Sequence, residues 1–141
     1  MTKNKIKERL LHFGIKPSLQ RMAIMEYLMK NPIHPTADII FNDLYPSIPT
    51  LSKTTVYNTL KLLQEHGAAL AISIDEKNMR YDGDISQHAH FKCLKCDALY
   101  DLPIQNIEKV KVDNAEKLTI KECHLYYKGY CEKCIKEENN N

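Results

Sequence analysis

Residues 52–82 read SKTTVYNTLKLLQEHGAALAISIDEKNMRYD, and the rhythm of the chain changes at Gly67. Before that glycine, Val56, Leu60 and Leu63 recur at i, i+4 and i+7, the spacing of a buried helical stripe. Ser52 is placed to cap this helix and Gly67 to stop it. Thr54, Tyr57, Asn58 and Lys61 fall on the opposite side. Beyond Gly67, residues 69–74 and 79–82 read as two strands around the polar turn Asp75-Glu76-Lys77-Asn78.

Upstream, three shorter helices are expected. Residues 3–12 carry Ile6, Leu10 and Leu11 on one side and end at Gly14. Ser18 caps a second helix with Met22, Ile24, Met25, Leu28 and Met29, which runs to Asn31-Pro32. Pro35-Thr36 opens a third with Ile39, Ile40 and Leu44, closed by Pro46. Short helices followed by a hairpin are the layout of a winged helix. The turn-rich run Asp82-Gly83-Asp84-Ile85-Ser86 marks a boundary after residue 84. The remainder reads as strand 88–93, turn 94–97, strand 98–102, helix 104–117 and strand 118–128. A cysteine turn and a polar tail follow, the tail (137–141) expected to be disordered. The fold class is α+β, with domains at 1–84 and 85–136.

Charge follows the same division. Over 1–71, nine Lys/Arg face five Asp/Glu, a net of +4; over 72–141, eleven face thirteen, a net of −2. A basic front half suits a polyanionic partner. With 141 residues, 43% of them hydrophobic, the chain can bury a core, and four glycines argue against glycine-rich nucleotide-binding designs. There is no signal peptide and no run long enough to span a membrane, so the cytoplasm is expected. Thiols there stay reduced, and five cysteines read as metal ligands or redox groups rather than as a disulfide framework.

Cys93-Leu94-Lys95-Cys96 and Cys131-Glu132-Lys133-Cys134 are two C-x-x-C pairs. Two residues between thiolates let one turn present both sulfurs to one ion, and two such turns complete a tetrahedral shell that zinc favours. Such a staple contributes on the order of 10 kcal/mol or more to folding in apparent terms. Incidental buried cysteines, or a thioredoxin-type redox pair, are the alternatives. His88-Ala89-His90 puts two imidazoles on one face of a strand. Asp101, on the next strand, could present a carboxylate to the same ion, and Asp82 closes the hairpin just upstream. Two surface histidines on an edge strand are the plain alternative. His12 and His66 read as structural or solvent-facing.

Taken together, these residues resemble the ferric uptake regulator family over roughly residues 8–135. The resemblance rests on Gln20-Arg21, His34-Pro35-Thr36-Ala37, Ser52 with Thr55-Val56-Tyr57-Asn58-Thr59-Leu60, Arg80-Tyr81-Asp82, the run from His88 to Cys96, Asp101, and Gly129-Tyr130-Cys131-Glu132-Lys133-Cys134. It implies a winged-helix DNA-binding domain, a zinc-stapled α/β dimerisation domain, and a homodimer on a pseudo-palindromic double-stranded DNA operator. It implies structural zinc on Cys93, Cys96, Cys131 and Cys134, and regulatory iron(II) or manganese(II) on His34, Asp82, His88, His90 and Asp101. Aspartate at position 101 resembles the peroxide-sensing repressors, and glutamate there would resemble the iron-uptake regulators. The peroxide branch implies oxidation of His34 or His88. Iron-uptake or zinc-uptake regulation by the same clamp is the alternative.

On the fourth helix, Tyr57 and Asn58 are expected at base edges, with Lys53, Thr54, Thr55 and Arg21 at phosphate or groove. Ser18-Leu19 departs from the Thr-Pro common in the family. A third metal site of the usual kind is not expected. Gln87 and Ala89 are poor ligands and Cys123 replaces a histidine, although Glu108 is retained. A water-activating metalloenzyme or a zinc-stapled interaction module would leave the basic head unexplained.

Overall fold

The computed structural model describes residues 2–74, 78–86, 88–104, 112–120 and 122–139. The chain forms two compact units, Met1–Ile85 and Ser86–Asn141.

The N-terminal unit has four helices: α1 (Lys3–His12), α2 (Leu19–Lys30), α3 (Ala37–Leu44) and α4 (Lys53–Glu65). Each begins the same way. Thr2, Ser18, Thr36 and Ser52 sit in extended backbone, and each side-chain oxygen accepts the N–H three residues on. α1 and α4 also end alike. Gly14 (φ 74°) and Gly67 (φ 79°) adopt the left-handed conformation. Ile15 N–H then bonds Leu10 O at 2.8 Å, and Ala68 N–H bonds Leu63 O at 2.8 Å. These are the wrapped-back bonds of a Schellman stop.

The helices close over Ile6, Leu10, Ile24, Met25, Leu28, Ile40, Val56, Leu60 and Leu63. Leu11, expected on the α1 core side, is 54% exposed, because Ile6 and Leu10 one turn apart already define the inward face. The hairpin is shorter than its sequence pattern. β1 (Leu70–Ile72) pairs antiparallel with β2 (Arg80–Asp82), with Leu70 opposite Asp82. The turn expected at 75–78 lies largely outside the described residues. β2 also makes a bridge with Thr36, and Tyr81 N–H donates to Pro35 O at 3.0 Å. The start of α3 is thereby stitched to the wing.

In the C-terminal unit, β3 (His88–Cys93) lies between β4 (Leu99–Pro103), which is antiparallel to it, and β5 (Tyr126–Gly129), which is parallel. Asp97 (φ 61°) turns the chain between β3 and β4. Most of the helix expected at 104–117 falls on residues outside the description. Its end at 112–117 is a run of turns, not helix, with Asn114 in the left-handed region (φ 62°), where a helix cannot continue. The strand expected at 118–128 begins only at Tyr126, the residue that comes opposite His90 on β3. Helix α5 (Glu132–Asn139) carries through residues 137–139, where the sequence reads as disordered tail, and a Lys136–Glu132 pair at 2.9 Å spans one of its turns.

Candidate metal centres

The four cysteines come from two turns of the C-terminal unit. Cys93 ends β3 and Cys96 follows in its turn. Cys131 and Cys134 straddle the start of α5. Their sulfurs all lie within 4.8 Å of one another, and Cys96 Sγ and Cys131 Sγ are 3.8 Å apart. Four sulfurs at about 2.3 Å from one tetrahedral zinc stand about 3.8 Å apart, so the cage has the size zinc requires. Cys93 and Cys134 are buried.

The backbone prepares thiolates. N–H groups of Cys96 and Cys131 aimed at the Cys93 sulfur pull its thiol down to about 6. The Cys134 backbone N–H likewise lowers Cys131. Cys134, whose thiol faces the Cys131 sulfur as a hydrogen-bond donor and is buried, is pushed up to about 12. Four thiolates cannot share so small a space without a cation, and a dication relieves the conflict. Tyr100 on β4, which no cysteine spacing could flag, has its pKa raised by the neighbouring Cys131 sulfur.

Histidines and carboxylates also come together within each unit. In the N-terminal unit, His34 Nε2 stands 3.4 Å from Asp82 Oδ2, and both side chains are buried. The bridge between Thr36 and β2 brings these distant residues together. Arg80 Nη1 adds a bond to the His34 carbonyl at 3.1 Å. His34 holds a left-handed backbone (φ 55°), which for a non-glycine residue costs on the order of 1 kcal/mol and persists where surrounding structure imposes it.

In the C-terminal unit, His88 Nε2 and His90 Nε2 each lie 3.4 Å from Asp101 Oδ1. Asp101 faces His90 directly across the β3–β4 ladder. His88 Nδ1 donates to the Ser86 carbonyl at 2.7 Å. With its proton on Nδ1, His88 turns the Nε2 lone pair toward Asp101, an arrangement that a cation completes. Ser86 is the orienting group that sequence reasoning missed. A backbone acceptor leaves no residue-type signature.

Elsewhere, His124 Nε2 stands 3.2 Å from Glu122 Oε2, both exposed. Glu108 lies outside the described residues, and Cys123 is exposed and free.

The outward side of α4 presents Lys53, Thr54, Tyr57 and Asn58 to solvent, with Thr55 half-buried. Asp38 on α3 accepts from the Tyr57 hydroxyl at 3.4 Å and lies 4.0 Å from Lys53 Nζ. A groove of about 450 Å³ runs between α4 and the start of α2, with Lys16, Arg21, Thr55 and Asn58 on its walls. Arg21 Nη1 bonds the Lys16 carbonyl at 2.8 Å there. Among the described residues, no helix is long and apolar enough to cross a membrane.

The model of the ferric uptake regulator family matches residues 12–128. The peroxide operon regulator of Bacillus subtilis (strain 168) is 33% identical over 135 residues, spanning 94% of this chain and 93% of that protein. Among solved structures, PerR from Streptococcus pyogenes, described for peroxide sensing and gene regulation, is 29% identical with a TM-score of 0.51, covering 94% of this chain and 92% of that one. The Helicobacter pylori ferric uptake regulator has a TM-score of 0.74 at 20% identity, over 96% and 95% of the two chains, and shares the fold. The chain belongs to the ferric uptake regulator family.

Proposed function

We propose that this chain is a homodimeric, metal-dependent transcriptional repressor of the peroxide-responsive kind, working in the cytoplasm as a stoichiometric switch rather than as an enzyme. The observation that carries the reading is the pair of incomplete donor groups. His34 and Asp82 belong to the unit with the helix-turn-helix, and His88, His90 and Asp101 to the other. Three imidazoles and two carboxylates without a thiolate suit iron(II) or manganese(II), whereas the cysteine cage suits zinc.

A ligand set drawn from both units ties the stance of the reading head to metal occupancy. In a homodimer, that stance sets the spacing of two α4 helices, which has to match the half-sites of a pseudo-palindromic operator. Dimerisation is supported by apolar surface on the C-terminal unit: Leu118, Ile120 and Tyr127 are 67%, 59% and 53% exposed. On the head, Tyr57 and Asn58 meet base edges. Arg21, Lys53, Thr54 and Thr55 take phosphate and groove positions.

Bound iron(II) supplies the reducing chemistry that peroxide meets. The chain contributes imidazoles, at His34 and His88, whose oxidation removes a ligand from the clamp. Similarity to the B. subtilis and S. pyogenes regulators over nearly the whole chain supports this branch, as does Asp101.

Two measurements test the proposal. In a gel shift, manganese(II) or iron(II) promotes operator binding by the parent, and His90→Ala abolishes that response. A His90→Ala protein binding as tightly as the parent sinks the repressor mechanism. Peroxide adds one oxygen to a peptide bearing His34 or His88 in the iron-loaded protein and not in the manganese-loaded one. An absence of that adduct leaves an iron-uptake regulator in place of a peroxide sensor.

A further inference from the structure

Arg9 of α1 reaches across the N-terminal unit to both ends of the hairpin. Its Nη2 donates to the Ala68 carbonyl, just before β1, at 3.1 Å, and to the Gly83 carbonyl, just after β2, at 2.8 Å. Gly83 is pressed against α2, and a Cβ there would stand 2.9 Å from the Leu28 carbonyl carbon and oxygen. One residue on, the Asp84 N–H donates to Asp82 Oδ1 at 2.8 Å, and Asp82 Oδ2 stands 3.4 Å from His34 Nε2. The peptide that follows Asp82 is thus gripped by α1, by α2 and by its own turn.

We propose that Arg9 and Gly83 are positioning residues for Asp82: together they fix the turn that aims its carboxylate at His34, and so set the affinity and geometry of that half of the regulatory metal set. The inference rests on reading His34 and Asp82 as metal ligands. Arg9 donates to two backbone carbonyls, and its guanidinium also lies 5.6 Å from the centre of the Phe13 ring and feels the Asp84 carboxylate. The Gly83 carbonyl is its handle, and the missing side chain of Gly83 lets the turn lie flush on Leu28. A ligand displaced by more than about 0.5 Å loses much of its worth to the ion.

The test uses the full-length chain with its cysteine-bound zinc. Manganese(II) is titrated and read as free ion by electron paramagnetic resonance. Cobalt(II) is added as a spectroscopic probe of ligand geometry. Exchange of the Asp84 amide is followed in protein lacking regulatory metal. Arg9→Gln is expected to weaken manganese(II) binding on the order of ten- to a hundredfold, the usual cost of losing an outer-shell partner. It also shifts the cobalt(II) absorption bands and speeds Asp84 exchange, with zinc content unchanged. Arg9→Lys keeps the charge but is one bond too short for both carbonyls, and moves every readout in the same direction. Gly83→Ala does so from the α2 side.

Parental affinity and cobalt(II) spectrum in Arg9→Gln or Gly83→Ala would overturn the proposal. So would a fully parental Arg9→Lys beside a defective Arg9→Gln, which would make the effect one of charge and not of reach. If Arg9→Gln fails to fold, Arg9→Lys and Gly83→Ala decide. Asp82→Asn separates the two levels: parental metal binding in that variant removes the ligand reading itself, whereas loss there beside parental Arg9 and Gly83 variants removes only the positioning role.

Discussion

In the N-terminal unit Ile6, Leu10, Ile24, Met25, Ile40, Val56, Leu60 and Leu63 are all but sealed from water, whereas in the C-terminal unit the buried residues among those described are Ala89, His90, Cys93 and Cys134. The first set is aliphatic, and each member contributes about 1.5–3 kcal/mol by leaving water. In the second set, two of four are thiols of the cysteine cage and one is a histidine of the Asp101 group. One unit has a hydrocarbon interior, with His34 and Asp82 also buried in it, whereas the buried residues described in the other are mostly ones that would hold metal. A small unit with so few buried apolar side chains among its described residues gains from a staple. The contrast fits the proposed division of work between the two kinds of ligand, in which the cysteines support a fold and the histidines read out a state.

The most severe way to break this contrast is Cys93→Ser or exhaustive chelation. Structural zinc contributes on the order of 10 kcal/mol in apparent folding free energy. The expected outcome is loss of zinc and of β3–β5 protection in amide exchange, with α1–α4 still protected. Equal loss of protection in both units would show that the head leans on the staple as well.

The same contrast governs what could be read from the chain alone. The head was legible because its elements are local. Val56, Leu60 and Leu63 repeat at helical spacing, and Ser18, Ser52, Gly14 and Gly67 mark the ends they cap. The cysteine cage was legible because two residues between sulfurs is itself a local geometry. The His34–Asp82 pair was not. It depends on the bridge between Thr36 and Arg80 and on a left-handed histidine, neither of which leaves a pattern within one turn of chain. Only family resemblance pointed to His34. The shortened β5 and the turns at 112–117 were misread for a related reason. Strand pairing follows the register of β3, with His90 opposite Tyr126, and at 112–117 the left-handed backbone of Asn114 excludes the helix that the local composition permits.

A smaller perturbation sharpens the comparison from the other side. Leu60, fully buried on α4, is expected to cost about 3 kcal/mol when replaced by alanine, through lost transfer energy and the cavity left behind. Urea unfolding followed by amide exchange should show α1–α4 opening at lower denaturant, with zinc still bound by the cysteines. Zinc release at the same midpoint as head unfolding would mean that the two units fold as one.

The smallest expected effect concerns a pair remote from either kind of ligand. Tyr27 on α2 is 8% exposed, and its hydroxyl hydrogen-bonds the Asp43 carboxylate on α3. Burial first, and then Asp43, push its pKa up to about 12. The unfolded chain releases that proton near 10. The folded head therefore holds a proton that the unfolded chain gives up. The stabilising contribution is complete below pH 10 and disappears as pH rises from 10 to 12. Tyr27→Phe has no such proton. It should cost about 1 kcal/mol at pH 8, from the lost hydrogen bond, and the gap to the parent should close by a similar amount by pH 11. Denaturation of the full chain at the two pH values, read from α2 and α3 amides, checks this. Because neither residue lies in a candidate ligand set, adding or withholding manganese(II) should leave the closing of the gap unchanged. A metal-dependent difference would show that the interior of the head senses occupancy, and the separation between a fold held by hydrocarbon and a state read by histidine would no longer stand.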